Sequence, residues 1–197
     1  CDHRSGGIGA EDAEEEERWR QGAGWQAPCP GNDGLRRGWS DGVQAGYQGR
    51  RPEVSGWIVV SLLCIHAMSW KPAQPPERSF RTCMRVGLGA TEGGLPAHIS
   101  IALAYTESRF NPGAVSSRGA MGPLQVLPRY HCPSRSSEDC DLLAAGLSAL
   151  RRYRTKYGDW ATALCHWNSG NECYRRSRLF ARIVLGRARA LAQAQGD

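Results

Sequence analysis

Long apolar runs are missing from this chain. The longest, residues 57–68, falls short of the roughly 20 apolar residues that a bilayer-spanning helix needs. Sustained apolar/polar alternation is missing too, so no segment reads as a clear β-strand. The eight cysteines lack metal-ligand spacing. Cys132 and Cys140, like Cys165 and Cys173, have seven residues between them, whereas paired zinc ligands usually stand two to four residues apart. No nucleic-acid-binding motif is present, and the basic residues are not concentrated on one predicted helix. These absences exclude a helical membrane spanner and a zinc ribbon, and they disfavour a nucleic-acid partner. Nothing in the chain calls for a metal or a cofactor.

Acidic residues are scarce in one half only. Residues 71–197 carry 18 Lys and Arg against 9 Asp and Glu, whereas residues 1–70 are net negative by 3. A cationic half suits an anionic partner such as nucleic acid, a membrane surface or an anionic polymer, or else a solvated Arg-rich surface. The composition, 41% hydrophobic and 22% charged, allows a folded core. The cysteine spacing is compatible with two short disulfide loops and hence an oxidising compartment, although spacing alone leaves connectivity open and buried thiols are the alternative. The expected bridges are Cys132–Cys140 and Cys165–Cys173, with Cys83 either free or tied to the N-terminal part.

Three segments follow. Residues 1–56 hold half of the 24 glycines and an acidic run from Glu14 to Glu17, and read as a low-complexity, disordered tail. Residues 57–77 join an apolar stretch to a Pro-rich linker. Arg50 and Arg51 before the stretch, and Ala67 and Ser69 at its end, resemble an export signal and its cleavage site. The signal-like stretch is internal, and a true start inside the tail would explain that position. A short buried helix or strand is the alternative. Membrane association through this segment also follows from its apolarity.

Residues 78–192 read as a mainly α domain. Phe80, Met84 and Leu88 share one face of a first helix. Pro96 opens a second helix that runs to about Phe110 and stops at Asn111-Pro112. Residues 111–137 form an irregular Gly/Pro-rich loop region. Asp139 or Asp141 caps a third helix bearing Leu143, Leu147, Leu150 and Tyr157, which Gly158 ends. Asp159 caps a fourth, up to about Trp167. A last helix, about 172–192, carries Leu179, Phe180, Ile183 and Val184 inward.

The second helix holds the main candidate. Ile99, Ala102, Leu103, Thr106, Glu107 and Phe110 share one face by the i, i+3, i+4 rule. Glu107 therefore falls on the apolar side and in the last turn, where the helix dipole disfavours negative charge. Both effects raise a carboxyl pKa, and an acid still protonated near neutrality can give its proton to a leaving group. A solvent-facing Glu, or one paired with Arg109 or Arg118, is the plainer alternative.

The residues around Glu107 carry a resemblance. The run Glu107-Ser108-Arg109-Phe110-Asn111-Pro112 is followed by Gly119-Ala120-Met121-Gly122-Pro123-Leu124-Gln125, and later by Ala163-Leu164-Cys165-His166-Trp167-Asn168. In order and spacing this resembles the lytic transglycosylases of the soluble-lytic-transglycosylase (SLT) type, related to goose-type lysozyme, over about residues 78–186. The resemblance implies a compact lysozyme-like fold and peptidoglycan glycan strands as substrate. Glu107 would protonate the bond between N-acetylmuramic acid and N-acetylglucosamine, then take the proton of the muramic C6 hydroxyl, leaving a 1,6-anhydro end. Ser108, Ser116, Met121, Gly122, Gln125, Trp167 and Asn168 would contact the glycan or hold the loop beside it. An extracytoplasmic setting follows, in the periplasm or cell envelope, reached by export or virion delivery, with a secretion, conjugation or phage assembly as candidate partner.

Two departures stand out. Pro123 replaces a leucine usual in the family, removing one N–H. Trp167 replaces a tyrosine; its indole donates a hydrogen bond but accepts none. These departures leave two other readings open: a hydrolytic muramidase on the same scaffold, and a catalytically weak wall-binding or assembly protein.

Overall fold

A computed structural model describes residues 54–194. Within them lie α1 (Val54–Met68), α2 (Pro76–Glu92), α3 (Ala97–Ser108), a short α4 (Pro128–His131), α5 (Leu142–Tyr157), α6 (Trp160–Ser169) and α7 (Arg175–Gln193). The described residues contain no strand; only isolated bridges, Val115 with Met121 and Met121 with Val126, stiffen the loop between α3 and α4. Except for its helical last three residues, the expected 1–56 tail lies outside the described residues.

The packed helices begin at α1 rather than at residue 78. Val60, Leu63, Cys64 and Ala67 recur at helical spacing and are buried, facing α2, α3 and α7. Gly87 permits the close crossing of α1 over α2: a Cβ there would stand 2.5 Å from the Val60 methyl Cγ1. A Cys64–Cys83 disulfide joins the two helices, which ties Cys83 to the N-terminal part. The apolar stretch at residues 57–68 thus takes its buried-helix alternative in this fold. No described helix is long and apolar enough to cross a membrane.

Side-chain chemistry sets the helix ends. The Asp141 carboxylate accepts from the N–H groups of Leu143 and Ala144, each at 3.0 Å, and opens α5; Asp159 accepts from Thr162 N at 2.9 Å and opens α6. Gly158 (φ 79°) ends α5 in the left-handed region. α6 continues through Asn168 to Ser169, two residues past its expected end, before Gly170 turns the chain.

Two buried faces differ from expectation. On α2 the inward stripe is Ser79, Thr82, Cys83, Val86, Gly87 and Ala90, while Phe80, Met84 and Leu88 flank it half-buried. On α7 the stripe is Ser177, Ala181, Val184, Ala188 and Leu191. Leu179 and Ile183, expected inward, are 50% and 41% exposed. Small residues at 177, 181 and 188 let α7 lie close to α3 and α6, and that close approach outweighs burying two larger side chains.

Candidate active site

Glu107 sits one residue before the end of α3, and the chain then turns sharply. Arg109 (φ 52°) and Phe110 (φ 62°) both adopt left-handed backbone, which ends the helix two residues earlier than its apolar pattern suggests. Such residues cost on the order of 1–3 kcal/mol each. Complete burial of Phe110, edge-on to Tyr105, offsets this cost. Arg109 also donates through its guanidinium to the Lys71 carbonyl, and its own carbonyl accepts from Ala73 N at 3.0 Å. The Pro-rich linker therefore braces the helix end that presents Glu107. One residue earlier, Thr106 accepts from Arg187 of α7 at 2.8 Å, and the guanidinium lies over the Tyr105 ring.

Burial pushes the Glu107 carboxyl up to about 7 from its ordinary value near 4.5. One hydrogen bond works the other way: the Trp167 indole N–H donates to Glu107 Oε1 at 2.8 Å, favouring the charged form. No charged side chain among the described residues contributes to the shift. The tryptophan that departs from the family's tyrosine thus supplies the donor that orients the acid. Trp167 is itself held by Tyr153, edge-on at 6.0 Å between ring centroids. Tyr153 stacks on Tyr157, and Tyr157 stacks on His166 at 4.0 Å. The His166 ring bonds to the Gly170 carbonyl rather than to the acid.

The loop between α3 and α4 is organised by the remaining candidates. Ser108 Oγ lies 2.9 Å from the Pro123 carbonyl and 3.1 Å from that of Ala104, tying the loop to the residue next to Glu107. Pro123 is buried and lends its carbonyl, which needs no N–H. Ser116 Oγ accepts from Ala120 N at 3.0 Å, which closes a turn and takes the loop-holding role of its two expected ones. Gln125 donates through its amide nitrogen to the carbonyls of Ala114 and Gly122, at 3.2 and 3.0 Å. Met121 is half-buried and exchanges two backbone bonds with Val126. Gly122, with φ 77°, takes a backbone conformation that a side chain would strain. Asn168 is exposed on α6. The structure thus brings Glu107, Ser108, Trp167 and the Pro123 carbonyl together, and places Ser116, Met121, Gly122 and Gln125 in the supporting loop.

Both expected short disulfides are present, Cys132–Cys140 in the loop and Cys165–Cys173 across the turn from α6 to α7. The latter closes the chain just beyond Trp167. Tyr153 and Arg187 are the supporting residues that the sequence reading missed. The i, i+4 pair Tyr153 and Tyr157 on α5 was the available signal for the first; nothing in the sequence pattern marked the second. Among the described residues no cluster suited to holding a metal occurs.

A mainly helical domain, with a carboxyl group enclosed at a helix end beside an irregular loop, is consistent with a lysozyme-like fold. Residues 88–180 match the family model described as Transglycosylase SLT domain. Its members are lytic transglycosylases. No curated protein and no solved structure matched the chain.

The two causes acting on Glu107 make a testable pair. If its protonated form delivers the proton, kcat/KM is expected to fall as pH rises through about 7. Trp167→Phe removes the bond that holds the pKa down, so the alkaline limb is expected to move to higher pH. A pH–rate profile of the two proteins checks this; a limb that stays put or moves downward contradicts the assignment.

Proposed function

We propose that this chain is a peptidoglycan lytic transglycosylase with Glu107 as its acid and then its base. The observation that carries this reading is the enclosed carboxyl of Glu107, raised to about 7 and oriented by Trp167. In its protonated form the carboxyl gives its proton to the glycosidic oxygen between N-acetylmuramic acid and N-acetylglucosamine. The resulting carboxylate then takes the proton of the muramic C6 hydroxyl, whose oxygen bonds to C1 and closes the 1,6-anhydro ring. One group thus leaves the cycle as it entered, protonated, and no water is consumed.

Ordinary glycoside hydrolysis uses a second carboxylate about 5–9.5 Å from the first, either as nucleophile or to activate water. Here no charged neighbour among the described residues influences Glu107, which favours the route that needs none. A tethered hydroxyl also avoids the entropy loss of recruiting water. The glycan would run beside the loop that carries Ser116, Met121, Gly122 and Gln125, with Ser108, Trp167 and Asn168 at the acid's side. The disulfides support an extracytoplasmic setting, and we place the protein in the periplasm or cell envelope.

Digestion of purified peptidoglycan in ¹⁸O-labelled water tests the reaction. The expected muropeptides end in 1,6-anhydro-N-acetylmuramic acid and carry no label. Labelled reducing ends would make the protein a muramidase instead, and a water-activating group would then have to exist near Glu107.

A further inference from the structure

The loop that reaches Glu107 through Ser108 also borders a second feature, away from the acid. A depression of about 340 Å³ is lined by Arg118, Arg129 and Arg135 together with Gly119, Ser136 and Ser137, and Glu107 takes no part in it. The three guanidinium groups come from three separately built segments. Arg118 sits in the turn that Ser116 closes, where Gly119 N donates to the Ser116 carbonyl at 3.0 Å. Arg129 lies on α4, with its guanidinium 4.7 Å from the centre of the Tyr130 ring. Arg135 lies inside the Cys132–Cys140 loop, with left-handed backbone (φ 56°) and its N–H on the Cys132 carbonyl.

Convergence of three like charges is unfavourable unless something anionic offsets it. Among the described residues no carboxylate forms an ion pair with any of the three, although Glu138 and Asp139 follow in the same loop. Two serines of the lining add hydroxyl donors. Arginine suits planar, two-oxygen anions, because its N–H groups match a carboxylate in pairs. Another part of the same loop, the Pro123 carbonyl, is bonded to Ser108, the residue beside Glu107, so the loop that lines the depression is also tied to the end of α3.

We propose that this depression binds the free carboxylates of the peptide stems that project from the muramic residues of the glycan, so that the protein prefers peptide-bearing strands to bare ones. This rests on peptidoglycan being the substrate. The test measures binding separately from turnover. Full-length Glu107→Gln protein is titrated with soluble peptide-bearing glycan strands, and with the same strands after an amidase has removed the stems. Peptide-bearing strands are expected to bind at least tenfold more tightly. In Arg118→Gln/Arg129→Gln/Arg135→Gln on the same background the two affinities are expected to converge, with binding to bare strands unchanged. The three single variants, each at an exposed side chain, are expected to give intermediate losses and serve if the triple variant folds poorly. Equal affinity for both strand types, or a preference that survives all three substitutions, overturns the inference. Tighter, arginine-dependent binding of inorganic polyphosphate than of peptide-bearing strands overturns it in favour of a phosphate ligand. Cleavage of peptide-bearing strands by the unmodified protein is assayed alongside: failure there counts against the transglycosylase reading and leaves the binding comparison to decide this one.

Discussion

Replacing Glu107 by glutamine is expected to lower glycan cleavage by about 10⁴-fold or more while the fold survives. General acid or base assistance alone gives roughly 10²–10⁴-fold, and here one group performs both tasks. Glutamine keeps the shape and still offers a carbonyl oxygen to the Trp167 indole, but it has no proton to give. Stability supplies the control for folding. The folded pKa of Glu107, about 7, lies above its ordinary value of 4.5, so the folded state binds more protons between those pH values. The stability that protonation provides is complete below about pH 4.5 and is lost as pH rises through 7. By linkage the loss is on the order of 3 kcal/mol. Glutamine does not ionise and escapes it. The variant is therefore expected to match the parent at pH 4 and to exceed it at pH 8, measured by urea unfolding with disulfides intact. Asp159, His98 and His131 also have shifted pKa values, but they are common to both proteins and cancel in the comparison. A well-folded glutamine variant with near-normal turnover would remove Glu107 from the mechanism.

The raised pKa of Glu107 was legible in the sequence because its apolar helix face predicts the burial that disfavours its charge. The caps at Asp141 and Asp159 were legible for a similar reason, since an N-cap needs only a short polar side chain before an apolar period. What holds the acid was only half legible. Trp167 is expected to donate and not accept, and it does donate, but that its partner is Glu107 depends on how α6 crosses α3. Ser108 and Gln125 show a further limit. Both read as groups facing a ligand, yet the hydrogens of Ser108 Oγ and of the Gln125 amide meet loop carbonyls. Sequence carries no information about which backbone acceptors a turn will bring within reach.

The faces of α2 and α7 misled for another reason. Apolar residues on α7 at 179, 180, 183 and 184 span more than one face, so periodicity admits two registers. Packing chooses the one with small residues, because two helices approach closely only where side chains are short. Gly87 is the same device on α2.

Leu63→Ala is the substitution that tests whether α1 belongs to the domain. Leu63 is 2% exposed and shares the buried stripe with Val60, Cys64 and Ala67, whereas Leu62, its neighbour, is 51% exposed. Truncating a buried leucine costs the transfer free energy of the removed atoms plus that of the cavity left behind, together about 2–5 kcal/mol. Leu62→Ala is expected to change stability by less than about 1 kcal/mol, because much of that side chain already meets water. Both variants keep Cys64 and Cys83, whose bridge constrains the unfolded chain by roughly 3 kcal/mol on the entropy model and does so equally in each. Urea unfolding without reductant therefore isolates packing. If α1 is seated as described, the two midpoints separate widely while the activity of both variants at low temperature stays near that of the parent, since α1 contributes no group to the acid's surroundings. If Leu63→Ala proves no more costly than Leu62→Ala, α1 is not packed in the mature protein. The arginines before residues 57–68 and the small-x-small pattern after Ile65 would then favour an export signal removed before the domain works.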